Sequence, residues 1–280
     1  MIANWSKLSQ AARDAAYNNN QAVANSAELI ERRNAASAAF RKAHPAGLDV
    51  AYGSAPRQRF DLFAAKNPAA PCLVFIHGGY WQRNTREDFA CFAEGVMVHG
   101  WSAALPGYTL APDASLGDIV DEIWQAIDWL AEKGPKHGLG AGPIVASGWS
   151  AGGHLTAMML PHSRIAAGLA ISGIYELTPI RDTYLNEKLR LSDEEIAGFS
   201  PLRLPVVQKP LAVAYGTNEL PALVADSCDL HACRQAAGAP GPLVPVQGAD
   251  HFTILEELRR PDGMLVRAAR ALVEERVGSA

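Results

Sequence analysis

Apolar residues fall along this 280-residue chain in two rhythms. Short, nearly continuous apolar runs at 72–76, 101–105, 143–146, 165–171, 211–215 and 243–246 predict buried strands of the kind found inside a parallel sheet. Between them, apolar residues return every three or four positions. In 116–132, Leu116, Ile119, Ile123, Ile127 and Leu130 share one face and predict a long amphipathic crossover helix. Helices are also expected over 87–98, 154–160 and 256–277, the last broken near Pro261. Strands alternating with helices in this way imply parallel βαβ units.

Two regions depart from that alternation. Residues 1 to about 43 are rich in Ala, Asn and charge and predict helices over 9–16 and 22–41, interrupted at Asn18, Asn19 and Asn20. This is an N-terminal extension expected to pack over the main domain or to wall a cleft. Residues 48–52 and 59–63, on either side of a Gly-Ser-Ala-Pro turn, predict a hairpin at a sheet edge. From about 180 to 205 the chain becomes charged and Leu-spaced, which predicts one or two short helices set over the strand ends as a small cap. The expectation is a single α/β domain over 1–280, with a mostly parallel central sheet flanked by helices.

Composition narrows the function classes. With 49% hydrophobic and 19% charged residues the chain can bury a sizeable core. A net charge of −4 and the lack of a Lys/Arg cluster argue against nucleic-acid or anionic-membrane partners. Cys72, Cys91, Cys228 and Cys233 form no C-x-x-C pair, and the N-terminal segment lacks a signal peptide's apolar core, so a reduced, cytoplasmic protein is expected. No apolar run approaches a membrane span. A small-molecule substrate is the expected partner, and a homo-oligomer stays open.

Candidate chemistry gathers at the ends of the predicted strands. Gly148-Trp149-Ser150-Ala151-Gly152 is G-x-S-x-G at a strand-to-helix turn, where small neighbours let the chain turn sharply and lift a serine hydroxyl above the sheet. His77-Gly78-Gly79-Tyr80-Trp81 follows another central strand, and its glycine pair lets backbone N–H groups approach a substrate. Together with Ala151, the residues Gly78, Gly79 and Tyr80 are the candidate oxyanion hole. By contrast, the glycines of 137–142 precede a strand, which argues against a dinucleotide loop.

A serine hydroxyl needs a base, and the base needs an acceptor. Of eight histidines, His251 alone lies just after the last strand, behind both a serine and an acid in chain order. Glu219, after the penultimate strand, is the favoured acid. Asp226, a turn into the following helix, is its rival, and Asp250 adjoins His251 on the wrong side. His154 is expected to pack beneath the turn and His77 to order the glycine loop. With no HExxH or Cys/His cluster, neither a metal nor a cofactor is expected. Trp81 and Tyr175, with Tyr80, are candidates to stack on an aromatic substrate.

These residues resemble the arylformamidase (kynurenine formamidase) family within the α/β-hydrolases. The likeness spans nearly the whole chain and rests on HGGYW (77–81), GWSAGGHL (148–155), SGIYEL (172–177), GTNELP (216–221) and GADHF (248–252), with the 14–18 run resembling the family's N-terminal segment. It implies the α/β-hydrolase fold, with Ser150 as nucleophile, Glu219 as acid and His251 as base. It also implies hydrolysis of an aryl formamide, N-formylkynurenine being the family's substrate. Family members often carry His where this chain has Trp149, and Asp where it has Glu219, so Trp149 is expected to reshape the acyl side of the pocket. A carboxylesterase acting on small acyl esters would use the same residues. A non-catalytic binding protein would have no need of them.

Overall fold

A computed structural model describes residues 5–277; residues 1–4 of the expected extension lie outside it. Eight strands, β1 (Val50–Ala51), β2 (Arg59–Phe63), β3 (Cys72–Ile76), β4 (Ser102–Pro106), β5 (Ile144–Trp149), β6 (Ile165–Ile171), β7 (Leu211–Gly216) and β8 (Leu243–Val246), form one sheet in the order β1-β2-β4-β3-β5-β6-β7-β8. The first two strands pair antiparallel and β2 meets β4 antiparallel; the remaining pairings are parallel. The hairpin expected at the edge and the parallel core are both present.

Alternation along each strand divides the core in two, because successive side chains leave opposite faces of a pleated strand. On β3, Val74 and Ile76 enter one cluster and Leu73 and Phe75 the other. The first cluster is covered by the helices over 116–133 and 151–159, and the second by residues 86–98 and the C-terminal helix.

Before the sheet come α1 (Gln10–Ala15), α2 (Asn19–Ala22) and α3 (Ser26–Ala43). The helix expected over 22–41 therefore starts later, and the asparagine run forms a helical turn of its own. Asn18 caps that turn by accepting the Gln21 N–H at 3.2 Å, and Val23, extended at φ −109°, ends it. A continuous helix was expected over 87–98. Instead, Arg86–Ala93 is a 3-10 turn running into α4 (Glu94–Val98). The Ser37 hydroxyl of α3 donates to the Asp88 carbonyl and accepts the Cys91 N–H, displacing the regular helical bond there.

The crossover helix α5 (Leu116–Lys133) matches its pattern closely and starts with a capping box at Ser115 and Asp118. Leu116, Ile119, Ile123 and Ile127 are fully buried, each stabilising by about 1.5–3 kcal/mol relative to exposure. Beyond β5 lies α6 (Ala151–Met159). The cap has three short helices where one or two were expected, α7 (Thr178–Arg181), α8 (Asn186–Leu189) and α9 (Asp193–Phe199), then a 3-10 turn. It is tied to the N-terminal segment: Trp5 donates to Asp182 at 2.9 Å, and Asp14 accepts the Tyr184 N–H at 2.9 Å. The chain ends with α10 (Pro221–Ala236), α11 (Glu256–Arg259) and α12 (Met264–Val277), the last two separated at the expected break. Among the described residues no helix is long and apolar enough to cross a membrane.

Candidate active site

Ser150 occupies the single position between β5 and α6, at φ 59° and ψ −120°. A side chain held there stores about 1–3 kcal/mol of backbone strain, which only the surrounding structure can sustain. The Ser150 N–H donates to the Ile171 carbonyl at 2.8 Å, and its own carbonyl accepts the His154 N–H at 3.1 Å. Two glycines let the neighbouring chain close in. A Cβ on Gly152 would lie 1.9 Å from the Ile76 oxygen, and one on Gly78 would lie 2.5 Å from the Trp149 oxygen and 2.9 Å from the Ser150 Cβ. The Ser150 hydroxyl has no hydrogen-bond partner among the described residues.

His251 and Glu219 meet in the loops after β8 and β7. The His251 Nδ1 lies 2.9 Å from Glu219 Oε2, and because a carboxylate can only accept, Nδ1 carries the hydrogen. The neutral ring then has its lone pair on Nε2. The other carboxylate oxygen, Oε1, accepts from the Ser172 hydroxyl at 2.5 Å and from the Gly216 N–H at 2.8 Å. Glu219 and His251 are both buried. Asp226, the rival acid, is spent elsewhere: it accepts the Tyr175 N–H at 2.7 Å, and burial pushes its carboxyl up to about 7. Asp250 caps its own turn by accepting the N–H groups of Phe252 and Thr253 at 2.8 and 2.9 Å.

The glycine loop is oriented by side chains. The Gly78 carbonyl accepts from His77 Nδ1 at 2.9 Å and from Asn84 Nδ2 at 3.1 Å. A planar trans peptide then sends the Gly79 N–H the opposite way. Gly79, Tyr80 and Trp81 follow with φ of 118°, 51° and 58°. Neither the Gly79 nor the Tyr80 N–H donates to any group among the described residues. Ala151, first residue of α6, presents one of the unpaired N–H groups of a helix start. His77 itself stacks 4.3 Å from Tyr108, and burial pushes its imidazole down to about 3.

Ser150, His251, Gly79, Tyr80 and Trp149 line one cleft of about 70 Å³, walled also by Asn19, Arg33, Arg83, Asn84, Tyr184 and Phe252. The N-terminal extension thus forms one wall of it. Trp81 and Tyr175, expected at the substrate, are corrected: both are fully buried in the core and neither lines the cleft. The left-handed turn carries the Trp81 indole edge-on against His154 of α6, 5.0 Å between ring centres. Tyr175 goes with the loop that Asp226 ties down. A larger groove of about 700 Å³, between α3 and α4, contains none of the three candidate catalytic residues. Among the described residues no group of three or more His, Cys, Asp or Glu could hold a metal ion.

Asn84 and Asn19 carry no signature in the sequence, being single polar residues in a loop and a short turn. A faint signal existed for Ser172, which stands at the end of a buried strand, where polar residues are few.

Similarity to known proteins agrees with this fold. Residues 60–166 match the BD-FAE family. Kynurenine formamidase of Danio rerio is 28% identical over 227 residues, covering 75% of this chain and 76% of that protein. An isoprenylcysteine alpha-carbonyl methylesterase of Arabidopsis thaliana is 26% identical over 72% of this chain and 55% of its own length. A solved structure from Silicibacter sp. TM1040, a protein named for a proposed thioesterase activity, is 30% identical, with a TM-score of 0.83 over 92% of this chain and 98% of that one.

Proposed function

The chain belongs to the α/β-hydrolases as a formamidase-like member, a hydrolase of formamide or ester substrates, and from that we propose that it is a serine hydrolase cleaving aryl formamides of the N-formylkynurenine kind. The observation that carries this reading is the His251–Glu219 hydrogen bond at 2.9 Å, with Nε2 left as a free base in the cleft that holds the strained Ser150.

In the proposed reaction Nε2 of His251 takes the Ser150 proton as Oγ attacks the formyl carbon. The oxyanion is held by N–H groups of the Gly78–Tyr80 loop and of Ala151, each donor being worth about 2.7–4 kcal/mol in such sites. Glu219 stabilises the imidazolium, which then protonates the departing aryl nitrogen as the C–N bond breaks. Water, deprotonated by the same imidazole, attacks the formyl-serine and releases formate, returning the proton to Ser150. The narrow cleft favours an acyl group as small as formyl.

Hydrolysis of small acyl esters is the second reading, supported by the esterase relative. The test is formate release from N-formylkynurenine beside a series of phenyl esters of rising acyl length, repeated with Ser150→Ala. Saturable formamide turnover, lost about 10³-fold or more in the variant, and a steep fall beyond acetyl among the esters are expected. Slow, unsaturable formamide turnover alongside brisk ester hydrolysis would transfer the assignment to the second reading.

A further inference from the structure

One residue that walls the cleft has a polar atom that the hydrolytic reading leaves unused. Asn19, on the first turn of α2, is 4% exposed, and its Oδ1 has no hydrogen-bond partner among the described residues. Which end of the amide is unpaired follows from counting hydrogens. The Tyr80 hydroxyl has one hydrogen and gives it to the Tyr17 carbonyl at 2.6 Å, a group that can only accept. The Asn19 side chain lies 2.9 Å from the same Tyr80 oxygen and must therefore face it with its NH2. Burial raises the Tyr80 hydroxyl well above its ordinary value, so it keeps that hydrogen at any working pH. Oδ1 is thereby locked as an acceptor on a residue that walls the cleft with Ser150 and His251.

We infer that Asn19 Oδ1 accepts a hydrogen bond from the scissile N–H of the substrate and so makes the site select amides over esters of the same acyl group. This rests on the cleft being the hydrolytic site. That oxygen finds no donor among the described protein groups, and an amide supplies one where an ester has only an oxygen. The contact also serves the bond-breaking step. As Oγ attacks, the nitrogen loses conjugation with the carbonyl and gains a lone pair. An acceptor on its N–H holds that hydrogen toward Asn19, directs the lone pair away from it and raises the nitrogen's basicity. Protonation by the His251 imidazolium then releases the amine, with no bond formed to Asn19. Asn19 is a specificity residue, fixed by Tyr80 and Tyr17.

The experiment compares formanilide with phenyl formate, which share acyl group and ring and differ only in N–H against O. In Asn19→Ala, kcat/KM for formanilide is expected to fall about 10- to 100-fold more than for phenyl formate. Asn19→Asp, which keeps an acceptor and nearly the same volume, is expected to retain more of the amide preference than the alanine variant, and it gives the readout if Asn19→Ala fails to fold. A purely structural role would lower both substrates equally, and that result overturns the inference alone. Wild-type turnover of phenyl formate without formanilide would remove the formamidase reading and this inference together. Turnover of both substrates with an unmoved ratio in both variants would leave the reading standing and end the inference.

Discussion

Trp149 donates its indole N–H to the main-chain carbonyl of His251 at 2.7 Å and packs its ring 4.6 Å from the imidazole. The residue before the proposed nucleophile therefore anchors the loop of the proposed base, joining the end of β5 to a position 102 residues further along the chain. A second aromatic layer, Phe89 at 5.7 Å, backs the indole. Trp149→Phe would keep most of the ring packing and lose the donor, orphaning a buried carbonyl. The expected cost is about 1–2 kcal/mol of stability, with kcat lowered and KM little changed. Denaturant unfolding and steady-state kinetics on one preparation check this; a rise in KM at constant kcat would show that Trp149 acts on the substrate rather than on His251.

Glu219→Gln tests the acid more sharply than alanine would. Oε1 faces two donors, the Ser172 hydroxyl and the Gly216 N–H, so the new amide must keep its oxygen there and turn its NH2 toward His251. Nδ1 would then have to accept, moving the ring hydrogen to Nε2, where the base needs a lone pair. A loss of about 10⁴ in kcat is expected with the fold intact. Activity within tenfold of wild type would show that the imidazole does not depend on this carboxylate.

Ser172→Ala removes one of the donors that hold that carboxylate, without touching the imidazole. The sequence offered little hint of it, and the reason is physical. The pairing of Glu219 with His251, and of His251 with Ser150 at one cleft, was legible because strand-end chemistry has a fixed chain order and a tight turn with glycine on both sides. The parallel sheet was legible because β3, β6 and β8 are short apolar runs whose limits match their patterns residue for residue. Trp81 and Tyr175 were misread because an aromatic beside a catalytic motif gives no sign of which way it turns. That direction is set by the left-handed backbone at Trp81 and by the Asp226 contact at Tyr175. Asn19 was beyond reach for a similar reason: its role depends on hydrogens shared with Tyr80 and Tyr17, one of them 61 positions away.

Two buried histidines give the fold a predictable acid sensitivity. Burial pushes His77 down to about 3 and His154 down to about 4. Both lie below the value of about 6.5 for an exposed imidazole, so the unfolded chain binds protons that the folded chain refuses. Their contribution to stability is complete above about pH 6.5 and is lost as pH falls toward 4, by up to about 1.4 kcal/mol per pH unit from each group. His154 Nε2 donates to the Phe199 carbonyl at 2.7 Å, a bond that a glutamine amide can imitate without titrating. Denaturant midpoints measured from pH 7 to pH 4.5 should fall less steeply in His154→Gln than in wild type. Parallel slopes would show that His154 does not carry this sensitivity.

Two residues that line the cleft carry guanidinium groups with different freedom. Arg33 is buried, donates to Asn34 and lies 4.1 Å over the Phe89 ring, so it is already committed. Arg83 is exposed and has no hydrogen-bond or ionic partner among the described residues. A leaving group bearing a carboxylate would therefore meet Arg83 first. Because this pairing is solvent-exposed, it is worth at most about 1 kcal/mol and is weakened by salt. Arg83→Ala should raise KM severalfold for formamides whose aromatic part carries a carboxylate and leave KM for uncharged formanilide unchanged. The difference should shrink between low ionic strength and about 0.5 M salt, as the screening length contracts. An equal rise in KM for both substrates would place Arg83 in the shape of the cleft rather than in its charge.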